Sequence, residues 1–156
     1  MIWSIILINL NLNSNDEKDY NYIVTGSGDK SINIWEFFQN ENAVLKKLTI
    51  KEHHESVIKI LYMKIKSNCI LISGAFDGTI KLHSIKRTFN DEFGEIQLEH
   101  KELLTIYNKD SEIINLDYFY PDNEKKDDIN EQKLDIIVNF GRNKGYSIFK
   151  IKYDFY

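Results

Sequence analysis

The chain has 156 residues, 42% hydrophobic and 28% charged, with 20 Lys and Arg against 24 Asp and Glu for a formal net charge of -4. That length supports one ordinary domain with its own core, and that balance excludes a disordered chain. The net acidity argues against nucleic acid as the main partner, because such binding relies on basic patches that release counterions. The single cysteine, Cys69, excludes an internal disulfide and sits in an apolar run as a small core residue. No Cys/His pattern has zinc-site spacing, so neither a metal nor any other cofactor is expected.

The first ten residues, Met1 to Leu10, are apolar but lack a basic leader and a cleavage site, and they are too short to span a bilayer. They alternate onward as a strand, with Ser4–Leu10 as its body. No other segment could cross a membrane, so the expected setting is intracellular, cytoplasmic or nuclear. A charged insertion, 13–19, follows. Next comes Ile23-Val24-Thr25-Gly26-Ser27-Gly28-Asp29-Lys30-Ser31-Ile32-Asn33-Ile34-Trp35-Glu36, a β-branched strand, a tight turn carrying an Asp, and an alternating strand. An outer strand fits Ala43–Ile50. After His53-His54-Glu55, the strand Ser56–Met63 leads into a second copy, Ile70-Leu71-Ile72-Ser73-Gly74-Ala75-Phe76-Asp77-Gly78-Thr79-Ile80-Lys81-Leu82-His83. Arg87–Glu95 reads as a longer loop whose Phe89 and Phe93 form an aromatic pair able to anchor a partner peptide. The outer strand Ile96–Ile106 and the strand Glu112–Phe119 follow, then the charged insertion 122–133. A degraded third copy runs from Ile136 to Phe149, aligned with Asn139, Asn143 and Phe149 at the positions of Ser73, Asp77 and Trp35. With one proline and no helical period, the fold class is all-β.

Self-similarity at this spacing, with these residues, resembles the WD40 family of β-propellers. His53, Ser73 and Asp77 match its His, Ser/Thr and turn Asp, while Thr25, Asp29 and Trp35 match its Ser/Thr, Asp and closing Trp. The resemblance covers nearly the whole chain and implies a partial propeller of three four-stranded antiparallel blades, about 2–50, 53–107 and 109–156, the last without its outer strand. It also implies that these positions form a structural hydrogen-bond network inside each blade. The departures are specific. The first copy has no residue for the family's His, His83 stands where Trp is expected, and the third copy has lost Ser, Asp and Trp. Each missing bond weakens its blade by about 0.5–1.5 kcal/mol.

The set His53, Ser73 and Asp77 could be mistaken for a catalytic triad, but Ser73 lies within a strand beside Gly74 and not on a nucleophile elbow. The stretch 26–31 resembles a phosphate loop only superficially, since Asp29 precedes Lys30 and a strand follows. His53-His54-Glu55 has no second ligand cluster. Closed propellers need four to eight blades. Three leave a remainder to be supplied by a longer chain, a second copy or a partner, and the first is favoured here. The expected function is a protein–protein interaction scaffold in a multiprotein complex, not an enzyme. Two narrower readings stand beside it. One is an RNA-associated scaffold in ribosome assembly or messenger RNA processing. The other is a faint resemblance to the propeller of the regulatory subunit of class III phosphatidylinositol 3-kinase.

Overall fold

Short β-branched runs separated by polar turns leave the backbone little choice but to pair strand with neighbouring strand. A computed structural model describes residues 1–10, 21–38, 41–65, 68–91, 93–107, 112–119, 131–140 and 145–154, and every regular element among them is a strand. Sheet 1 comprises β1 (Ile2–Asn9), β2 (Asn21–Ser27), β3 (Ile32–Phe38) and β4 (Ala43–Ile50). Sheet 2 comprises β5 (Val57–Ile65), β6 (Asn68–Ala75), β7 (Thr79–Asn90) and β8 (Glu95–Tyr107). Sheet 3 comprises β9 (Ile113–Phe119), β10 (Glu131–Phe140) and β11 (Tyr146–Asp154). All pairings are antiparallel and join strands adjacent in sequence, which is the up-and-down order of a propeller blade. The charged insertions 13–19 and 122–133 lie largely outside the described residues.

The sheets repeat at the level of single residues. In each, the innermost strand carries an extra residue near its start, between Ile2 and Ser4, between Val57 and Lys59, and between Ile113 and Asn115. A second irregularity recurs between the third and fourth strands, at Ile34/Trp35 and at Leu82/His83. Aligning these β-bulges sets Thr25, Ser73 and Val138 at one position, Gly26, Gly74 and Asn139 at the next, and Trp35, His83 and Phe149 on the third strand opposite Ile23, Leu71 and Ile136. The third copy is therefore shifted by one residue from the sequence alignment. Val138, not Asn139, takes the Ser/Thr position, because the β10–β11 connection is one residue longer: Val138 pairs with Ser147, nine residues on, whereas Thr25 and Ser73 pair with Asn33 and Lys81, eight residues on.

The sheets stack face to face. One may call the face bearing Thr25, Ser73 and Val138 the front of each sheet. The back of sheet 1 (Ile8, Tyr22, Val24, Ile32, Ile34 and Ile50) packs on the front of sheet 2 (Ile60, Leu71, Ile85 and Leu98). The back of sheet 2 (Met63, Ile70, Ile72, Ile80 and Leu82) packs in turn on the front of sheet 3 (Ile113, Leu116, Ile136 and Val138). Each stack closes around a glycine. A Cβ on Gly26 would lie 3.0 Å from Val57 and 3.1 Å from Ile60, and one on Gly74 would lie 3.0 Å from Ile113 and 2.5 Å from Leu116. By register Val57 is the counterpart of Ile113, and Ile60 of Leu116. The glycine is thus where the innermost strand of the following sheet crosses. Tyrosine hydroxyls fasten the same seams, from Tyr62 to the Asn9 carbonyl at 2.9 Å and from Tyr118 to the Tyr62 carbonyl at 3.0 Å.

Candidate functional site

The two intact turns are built alike. In 27–31 the Lys30 N–H donates to the Ser27 carbonyl at 3.2 Å, and the Asp29 carboxylate accepts from the Ser31 N–H at 3.0 Å and from the Ser31 hydroxyl. In 75–79 the Gly78 N–H donates to the Ala75 carbonyl at 3.1 Å, and Asp77 accepts from the Thr79 N–H at 2.9 Å and from the Thr79 hydroxyl. Lys30 and Gly78 both adopt positive φ, 72° and 77°. A backbone bond ties each turn to the residue before the innermost strand, from Gly28 to Met1 at 2.7 Å and from Phe76 to Ser56 at 3.0 Å. The Ser31 hydroxyl and N–H hold the Asp29 carboxyl below its usual value.

The side chains singled out by the repeat divide between two sheets. In sheet 1 the Trp35 indole N–H donates to the Thr25 hydroxyl at 3.2 Å. In sheet 2 buried His53 stands between Ser73 and Asp77. Its Nε2 lies 2.8 Å from the Ser73 hydroxyl, and its Nδ1 lies 2.8 Å from the Thr79 hydroxyl and 3.5 Å from an Asp77 oxygen. Because the Thr79 hydroxyl donates to Asp77, its oxygen accepts from Nδ1–H, which leaves Nε2 to accept from Ser73. The His54 N–H completes the Asp77 shell at 2.7 Å. Burial alone would raise the Asp77 carboxyl, but the bonds from His53, Thr79 and the backbone outweigh it and hold the carboxyl well below the carboxylate range. This is a staple joining the β4–β5 connector to sheet 2. Ser73 is fully buried, so its hydroxyl is closed to a substrate.

His83 breaks the pattern. It takes the place of Trp35 but makes no bond to Ser73, and neither ring nitrogen has a hydrogen-bond partner. Around it lies a cluster that is hard to foresee from the linear sequence. Glu52 approaches the His83 Nδ1 at 3.5 Å with one oxygen and bonds the His100 Nε2 at 3.0 Å with the other. Lys81 donates to Glu102 at 2.7 Å and to Thr105 at 3.0 Å, and these partners hold the Glu102 carboxyl low. Burial pushes the His83 imidazole down to about 4. Among the described residues no group of three or more His, Cys, Asp or Glu side chains is arranged to hold a metal ion. Burial pushes the Cys69 thiol up to about 12, which keeps it unreactive.

The segment 87–95 is not a loop throughout: residues 87–90 and 95 extend β7 and β8 as a two-stranded arm in which Lys86 to Asn90 pair with Glu99 to Glu95, beyond the last β6 partner at Ile85. Phe89 lies on the strand, 61% exposed, and Phe93 lies in the tip, 66% exposed. Alternation sends Arg87, Phe89, Ile96 and Leu98 to one face of the arm and Lys86, Thr88, Gln97 and Glu99 to the other.

Residues 17–36 match the family described as WD domain, G-beta repeat. No curated protein matches the chain with significance. No helix among the described residues is long and apolar enough to cross a membrane. That match spans β2 and the greater part of β3, and sheets 2 and 3 repeat the strand order and the inner bulge of sheet 1.

Proposed function

We propose that the chain is a protein-binding module that presents the β7–β8 arm to its partner. The observation that carries this reading is the arm itself. A strand pair that leaves its sheet buries Leu98 at its base but ends in two phenylalanines exposed beyond the core, and large rigid side chains of this kind dominate binding energy at interfaces. The WD40 repeat supports the same general role, and the buried His53–Ser73–Asp77 staple accounts for those residues without chemistry. Affinity capture with the unmodified chain and a Phe89→Ser/Phe93→Ser variant tests the reading. Specific partners are expected to be lost with the double variant while its circular dichroism stays unchanged. Equal capture by both would refute the arm as the docking element.

A further inference from the structure

The arm is a sheet short of one strand. As far as Ile85, β7 is flanked by β6 on one side and β8 on the other, but β6 starts at Asn68 and its pairing with β7 ends where Cys69 meets Ile85. From Lys86 to Asn90, β7 pairs with β8 alone, and among the described residues no strand pairs with its other edge. The N–H and carbonyl of alternate residues along that edge therefore point away from β8. A two-stranded ribbon is marginal in water, and a third strand completes it.

The two edges of the arm differ in what they accept. The outer edge, on β8, carries exposed Glu95 and Glu99, charges that blunt an edge against a further strand. The β7 edge carries exposed Lys86 and no acidic residue, with half-buried Thr88 and exposed Phe89, both of which favour strands. Phe89 pairs with Ile96, so a strand laid along β7 would set a side chain beside Phe89 in a cross-strand row of three, and another beside Lys86 on the opposite face. In the antiparallel sense, the more stable pairing, that strand meets Phe89 first and Lys86 three residues later. An apolar residue suits the first place and a carboxylate the second. A second copy of the same edge is a poor occupant, because Lys86–Asn90 brings two cations and no carboxylate.

We infer that the partner docks by adding an extended peptide to the β7 edge of the arm, antiparallel over Lys86–Asn90, with an apolar residue beside Phe89 and a carboxylate beside Lys86. Backbone pairing supplies the affinity in this mode and the alternate side chains supply the choice of partner. The inference rests on the arm as the docking element and adds the form and chemistry of what the arm holds.

Random dodecapeptides displayed on phage and panned against the whole chain, with circular dichroism as the folding check on each variant, test it. Selected peptides are expected to carry Leu, Ile, Val or Phe followed three residues later by Asp or Glu, and to lose binding to the Phe89→Ser/Phe93→Ser chain. In a synthetic copy of one such peptide, methylating one alternate set of amide nitrogens is expected to lower affinity at least about tenfold, as backbone hydrogen bonds to β7 are lost, while methylating the other set leaves affinity unchanged. Lys86→Glu is expected to cost about threefold in affinity, and a peptide with Lys in place of its carboxylate to regain it. Equal binding by the two methylated peptides, or selection without that spacing, overturns the added strand while the arm stands as the docking element. Binding that survives Phe89→Ser/Phe93→Ser overturns both. Failure to select any peptide, or self-association of the chain that the same two changes abolish, overturns the peptide as the occupant.

Discussion

Acidification tests the account of the seam between sheets 1 and 2 most sharply. His83 is fully buried, and its imidazole is pushed down to about 4, against about 6.5 for the same group in an unfolded chain. The unfolded state thus takes up a proton first as pH falls. The stability that depends on neutral His83 is complete above about pH 6.5 and is lost progressively down to about pH 4. At about 1.4 kcal/mol per unit of pKa difference, the full loss is roughly 3 kcal/mol, and about 2 kcal/mol of it falls between about pH 7 and about pH 5. Asp29, Asp77 and Glu102 are all held below their usual values, so they contribute little in that window. Urea unfolding at the two pH values measures the loss, and His83→Phe isolates it, since Phe149 already fills the corresponding place in sheet 3. The variant is expected to lose about 2 kcal/mol less over that interval than the unmodified chain. Equal pH dependence in both proteins, or an imidazole that titrates near the unfolded value by NMR, would refute the burial argument.

Gly74→Ala is expected to cost about 1–3 kcal/mol in urea unfolding, because its Cβ would lie 2.5 Å from a Leu116 methyl and the seam between sheets 2 and 3 would have to open. Stability unchanged would mean that the seam is looser than described. Ser73→Ala strands the buried Nε2 of His53 and should cost about 1–3 kcal/mol, whereas Ser73→Thr, the residue sheet 1 uses, should recover most of it. A thermal melt comparing the two separates the hydroxyl from the added methyl. Lys30→Gly should stabilise by roughly 0.5–1 kcal/mol, because φ at 72° strains a residue with a Cβ, while the Glu55 pair it gives up is half exposed and worth little. A loss of stability on that change would show that the ion pair outweighs the backbone.

The three-sheet order was legible because Ile23–Val24–Thr25 and Ile70–Ile72 are β-branched runs stopped by a turn with an Asp at the same place, and the repeated turn exposes Asp29 and Asp77 together. The third copy offered no such marker. Ile136 to Val138 is uniformly apolar and nothing marks where β10 ends, so the one extra residue between Val138 and its partner Ser147 goes uncounted and the alignment slips by one residue. The arm is not legible in Arg87–Glu95 because it has no partner there beyond its own other strand, and only the backbone pairing shows that the strand runs to Asn90 before it reverses. The cluster at His83 was out of reach for another reason. Glu52 and His100 lie 48 residues apart, and Lys81 and Glu102 lie 21 apart, so only the pairing register brings them together.

Sheet 2 alone among the three has both faces covered by other sheets. Opening sheet 1 or sheet 3 breaks one stack, but opening sheet 2 breaks two, so the free energy of local unfolding is not uniform along the chain. Amide hydrogens of β5 and β6 should exchange only through global unfolding, while those of β1, β2 and β10 exchange through partial openings that leave the middle intact. Fraying from the two ends toward the centre makes the chain behave as a short linear array, and substitutions in sheet 2 should lower the stability of every amide while those in the outer sheets remain local.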